Sequence, residues 1–132
     1  MNYIDYNNKL ESYQRVFIIK ILETITDYPF TLNFINFEQD CFIDKDIIFE
    51  ILGVKKFSNK SKDLNDYKIQ IDKLKKKDLI NFLRQPNYLF SCIERIIILD
   101  KTNEIIFETY DYFSVVSTRN DFLKYTPPIY IP

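Results

Sequence analysis

A single glycine, Gly53, serves a chain of 132 residues that also has no histidine, tryptophan or alanine. Glycine takes left-handed backbone and lets a main chain approach a ligand closely at no steric cost. With only one, a glycine-cradled phosphate loop or a dinucleotide fingerprint is excluded. Without histidine, serine or cysteine nucleophiles lose their usual base. Zinc sites built from four cysteines, or from paired cysteines and histidines, need ligands that two cysteines alone do not supply. Asp44-Lys45-Asp46 opens like a calcium loop, but the loop's glycine and closing glutamate are missing, and helix capping accounts better for these aspartates. The chain is therefore expected to be no enzyme, with no catalytic, cofactor-binding or metal-ligating residue assigned, and to act by binding another macromolecule.

The length fits a single domain over 1–132, long enough to bury a sizeable core without staples. Hydrophobic residues make up 46% and aromatics 17%, and the excess of Ile, Phe and Tyr favours strands. Cys41 and Cys92 each sit in an apolar run and read as buried free thiols, with a disulfide disfavoured in the absence of a secretory profile. The N-terminus lacks the pattern of a signal peptide, and the longest apolar stretch, Val16 to Leu22, is broken by Lys20 and falls far short of the ~20 residues of a membrane span. A cytoplasmic location with no membrane contact is expected.

Hydrophobic spacing predicts a first helix over 8–26, with Leu10, Tyr13, Phe17, Ile21 and Ile25 inward, Val16 widening that face, Glu11 and Arg15 outward, and Asn7 or Asn8 as its cap. Phe30, Leu32 and Phe34 alternate with Thr31 and Asn33 as in a strand over 30–37, a pattern weakened by Ile35 and Phe37. A helix over 45–52, with Ile47, Ile48, Ile51 and Leu52 as its apolar face, is framed by Asp44 as cap and Gly53 as left-handed stop. Residues 55–63 read as an exposed loop. Residues 64–84 read as mostly helical, although Tyr67, Ile69 and Ile71 also fit strand alternation; Lys77-Asp78 is a candidate start for a fresh turn. Arg95–Leu99 and Ile105–Tyr110 form a hairpin around Asp100–Glu104, where Asn103 tolerates left-handed backbone. Tyr112–Val116 reads as a third strand, and Phe122–Tyr125 as a short helix. The fold class is α+β, an antiparallel sheet with this hairpin at its heart, packed against two or three helices.

Charge is segregated although the whole chain sums to −1. Residues 36–50 carry a net −4, residues 55–77 a net +6 from nine lysines, and residues 100–111 a net −3. Aromatics alternate with acids from Glu104 to Phe113, the make-up of an anchored, charge-rimmed interface. This marks Glu104, Glu108, Tyr110, Asp111 and Tyr112 as partner-binding residues. The competing interpretation makes Ile105, Phe107 and Phe113 plain core and the acids a solvated sheet edge. The lysine stretch, Lys55–Lys77, offers nucleic-acid binding as the alternative, disfavoured because arginine and stacking aromatics are scarce there. A carboxylate-based enzyme ranks third.

The segment Phe107-Glu108-Thr109-Tyr110-Asp111, followed by Ser117 and Phe122-Leu123-Lys124-Tyr125, resembles immunity proteins of bacterial polymorphic toxin and contact-dependent growth inhibition systems. The resemblance covers the C-terminal third. It implies a protein that binds one cognate toxin domain, commonly a nuclease, and occludes its active or substrate-binding surface, often with carboxylates that mimic phosphate.

Overall fold

The computed structural model describes residues 3–38, 45–53 and 64–119. In chain order the elements are helix α1 (Tyr3–Thr24), strand β1 (Phe30–Glu38), helix α2 (Lys45–Leu52), strand β2 (Leu64–Ile71), helix α3 (Lys73–Leu83), a 3₁₀ turn (Leu89–Ser91), and strands β3 (Ile93–Leu99), β4 (Ile105–Tyr110) and β5 (Val115–Thr118). The fold is α+β. One five-stranded sheet runs β2-β1-β3-β4-β5, every neighbouring pair antiparallel.

Each of α1, α2 and α3 buries part of its apolar set against one face of the sheet. Phe17 of α1 meets Phe107 edge-on at 5.6 Å, and Phe49 of α2 lies 5.7 Å from Phe37 and 5.5 Å from Tyr67. Ile18 and Leu22 of α1 and Leu79 and Leu83 of α3 close over Leu32, Phe34, Ile96 and Ile98. Among the described residues no helix is long and apolar enough to cross a membrane.

Several expectations are corrected. Helix α1 begins at Tyr3, so neither Asn7 nor Asn8 caps it. Glu11, placed outward by its polarity, is buried, and its carboxylate is taken by Arg15 and by the Asn87 amide at 3.1 Å. Arg15 Nη1 also donates to the Leu83 carbonyl at 3.1 Å, so this pair ties α1 to the end of α3. Val16 and Ile47, expected on apolar faces, are exposed, while Phe49 is buried. The region 64–84 is a strand and then a helix. Tyr67, Ile69 and Ile71 oppose Phe34, Leu32 and Phe30 on β1. Asp72 then caps α3 by accepting from the Lys75 amide at 2.8 Å, so the helix starts well before Lys77. Gly53 has φ +68° and stops α2 as expected. Cys92 is buried but disulfide-bonded, not a free thiol; the chain's other cysteine, Cys41, lies outside the described residues. The expected cap at Asp44, loop at 55–63 and helix at Phe122–Tyr125 lie outside them too.

Strand β1 carries the irregularity that shapes the sheet. Asn36 is left-handed at φ 56°, and the pairing with β2 shifts register between Phe34 and Phe37. The bulge lets alternation skip a residue, so Phe34 and Phe37 both face inward with rings 5.8 Å apart. Asn36 is held there by its amide, which donates to Asp66 Oδ1 at 2.8 Å, and by its side chain, which donates to Glu94 Oε2.

Candidate interaction surface

The sheet face turned away from the helices carries Thr31, Asn33 and Ile35 on β1, Arg95 and Ile97 on β3, and Glu108 and Tyr110 on β4. Among the described residues no helix packs on it. At its β3–β4 seam three side chains interlock. Arg95 Nη2 donates to Glu108 Oε2 at 3.0 Å and to the Tyr110 hydroxyl at 3.2 Å. The Tyr110 hydroxyl donates to Glu108 Oε1 at 2.6 Å, and the guanidinium stands 4.5 Å over the Tyr110 ring. The hydrogen bond to Glu108 also raises the Tyr110 pKa. The Glu108 carboxylate, expected to meet a partner's cation, is only 15% exposed and already neutralised within the chain. Tyr110 remains an accessible aromatic, 38% exposed.

The next three residues turn the chain from β4 to β5. Asp111, Tyr112 and Phe113 have φ of 51°, 54° and 71°, three consecutive left-handed residues of which none is glycine. Each such residue carries strain of roughly 1–2 kcal/mol relative to right-handed backbone. The expected third strand over Tyr112–Val116 is therefore displaced to Val115–Thr118. The turn is fixed from both sides. Phe113 is buried against Phe90 at 5.0 Å, Phe107 at 6.0 Å and Phe17 at 6.3 Å. The Tyr112 amide donates to the Glu94 carbonyl at 3.0 Å, and its hydroxyl to Glu38 Oε1 at 2.7 Å. Asp111 is left exposed at the apex.

Antiparallel order explains why acids gather here. Glu38 ends β1, Glu94 lies at the start of β3 and Asp111 follows the end of β4, so three distant stretches deliver carboxylates to one end of the sheet. The Tyr112 hydroxyl reports the result. Its hydrogen bond to Glu38, its partial burial and the charges of Glu38, Glu94 and Asp111 push its pKa up to about 12. Asp66 reaches the same neighbourhood through Asn36. Sequence reasoning misses Glu38, Asp66 and Glu94; only the −4 balance of 36–50 hints at the first of them.

Glu104 does not belong to this group. It sits in the β3–β4 turn, and β4, a strand of six residues, lies between it and Asp111, which at ~3.3 Å per residue is about 20 Å. Its backbone completes the turn: its amide donates to Asp100 Oδ1 at 3.0 Å and its carbonyl accepts from the Asp100 amide at 2.8 Å. Hydrogen bonds from the Thr102 side chain and the Glu104 and Thr102 amides, together with Arg119, hold the Asp100 carboxyl down at about 2. The five expected residues thus resolve into an acidic, aromatic corner (Tyr110, Asp111, Tyr112), an internally paired Glu108, and a separate turn residue.

Among the described residues no group of three potential ligands is arranged to hold a metal ion. Of the basic stretch, Lys68 lies on β2 and Lys73, Lys75, Lys76 and Lys77 on α3, while Lys55, Lys56, Lys60 and Lys62 lie outside the described residues. No protein-family model matches the chain, and no curated protein or solved structure matches it.

Proposed function

We propose that the chain is a stoichiometric protein-binding inhibitor, an immunity protein that neutralises a cognate toxin domain by covering its active or substrate-binding surface. The observation that carries this reading is the corner at the β4–β5 connection. Glu38, Glu94 and Asp111 converge around Tyr112 on backbone held left-handed at three successive positions. A protein retains such strain where presentation of a side chain outweighs local stability. The corner matches a cationic groove of the kind that binds phosphodiesters. Its carboxylates supply steering, and Tyr110 the anchor.

The complex would form in the cytoplasm in this reading. The disulfide at Cys92 speaks for an oxidising compartment instead. A thiol count on the protein isolated from its native host decides between the two.

The test is the gene next door. Where the gene immediately upstream encodes a large secreted protein with a variable C-terminal domain, that domain is expressed with and without this chain. Protection of the host and a one-to-one complex are expected, with affinity reduced about tenfold or more by Asp111→Lys or Tyr110→Ala. Absence of a complex, or affinity untouched by both substitutions, overturns the reading. Both side chains are exposed, so neither change disturbs the core.

A further inference from the structure

On the helix layer, away from the acidic corner, α3 and the turn after α1 enclose a groove of about 640 Å³ whose walls include Tyr28, Leu74, Ile80 and four cations, Lys73, Lys76, Lys77 and Arg84. No carboxylate lines it. Leu74 is 65% exposed at its rim, the most exposed large apolar side chain among the described residues. Lys76 is committed to the wall: its Nζ donates to the Ile25 carbonyl at 2.8 Å and lies 5.2 Å from the centre of the Tyr28 ring. Lys73, Lys77 and Arg84 make no ion pair within the described residues.

The helix itself adds an independent reason. The first turn of α3 holds Lys73, Lys75 and Lys76 and no acid, at the end where the helix dipole is positive. The Asp72 cap partly offsets this. Of the groove's unpaired cations Lys73 stands at that terminus, and an incoming anion there is stabilised by both the ammonium and the helix end. The apolar surface of Ile80 and Tyr28, with Leu74 at the rim, adds a requirement that phosphate alone does not meet, an aliphatic or aromatic side chain between the negative charges.

We infer that this groove docks an acidic peptide segment of a partner protein, one apolar side chain seated on Leu74 and Ile80 with carboxylates reaching Lys73, Lys77 and Arg84. The occupant differs from the target of the acidic corner in charge and in location, so the two surfaces can be filled together.

The probe is a labelled short peptide with leucine flanked on each side by glutamates, measured by fluorescence anisotropy beside a polyglutamate of equal charge and a single-stranded oligonucleotide. The leucine peptide should bind about tenfold more tightly than either control, weaken as salt rises, and lose most of its affinity in Leu74→Ser and in the Lys73→Glu, Lys77→Glu double variant. Asp111→Lys should leave it unchanged. Backbone amide shifts confined to α3 and Tyr28 should accompany binding. Tightest binding to the oligonucleotide makes the groove a nucleic-acid site and overturns the inference, as does equal binding of leucine peptide and polyglutamate, no binding at low salt, or affinity indifferent to Leu74→Ser. Leu74, Lys73 and Lys77 are exposed, and an unchanged circular dichroism melt verifies that the variants fold.

Discussion

The hydroxyl of Tyr112 donates to Glu38 Oε1 at 2.7 Å, joining the β4–β5 turn to the end of β1 across 74 residues of sequence. A phenol that must stay protonated to donate is linked to pH. Its pKa is about 12 in the fold against 10.0 ordinarily, so the native state holds the proton more tightly. The bond's contribution is complete below pH 10 and is lost as pH rises toward 12. Tyr112→Phe should lower stability by about 1–2 kcal/mol at neutral pH. Denaturant melts across the alkaline range should show a shallower loss for the variant than for the parent.

Asp100 gives the mirror case at acid pH. Its carboxyl is held at about 2 against 3.8, so its contribution is complete above pH 3.8 and fades as pH falls toward 2. Asp100→Ala removes the acceptor of the Thr102 hydroxyl and of the Thr102 and Glu104 amides, and the partner of Arg119 at 3.0 Å. A loss of about 1–2 kcal/mol at pH 7 is expected, with the gap to the parent narrowing in acid. A constant gap from pH 7 to 2 would contradict the assignment.

Thr109 is fully buried, and its Oγ1 accepts from the Ile96 amide at 2.9 Å, standing in for a ladder bond between β3 and β4. Thr109→Val keeps the shape and orphans that amide. A cost of about 1–3 kcal/mol is expected, read as a fall in chemical-denaturation midpoint, with exchange protection lost first at Ile96.

Asp111→Gly separates stability from binding. Glycine occupies φ 51° without penalty, so relief of strain should raise stability by about 0.5–1 kcal/mol. The same change removes an exposed carboxylate of the acidic corner and should weaken the toxin complex. A variant both more stable and weaker in binding identifies strain retained for recognition. A less stable variant with full affinity would sink that explanation.

Much of the fold is legible in the sequence, because hydrophobic periodicity decides it locally. Phe17, Ile21 and Ile25 mark the buried side of α1, Gly53 marks the end of α2, and the β3–β4 turn rests on Asn103, left-handed at φ 67°. Legibility fails where tertiary pairing overrides a local pattern. Leu64, Tyr67, Ile71 and Leu74 are spaced like a helix stripe, yet β1 offers an open edge and Tyr67, Ile69 and Ile71 take it. Aromatic alternation through Tyr112 and Phe113 imitates a strand, but burial of Phe113 among three rings bends the chain into a left-handed turn. The acidic corner is half visible. Tyr110, Asp111 and Tyr112 stand out in sequence, whereas Glu38 and Glu94 join them only once the strand order is known.

That strand order also dictates when the protein can fold during synthesis. The two innermost ladders, β1–β3 and β3–β4, both use β3, which begins at Ile93. A nascent chain halted before that point has made α1, α2, α3 and two strands, yet Leu32 and Phe34 have no third strand beside them. The three helices and the β1–β2 pair must wait until the last third of the chain emerges to complete the sheet. Until then an unpaired edge of β1 stands open, the kind of surface through which incomplete chains associate.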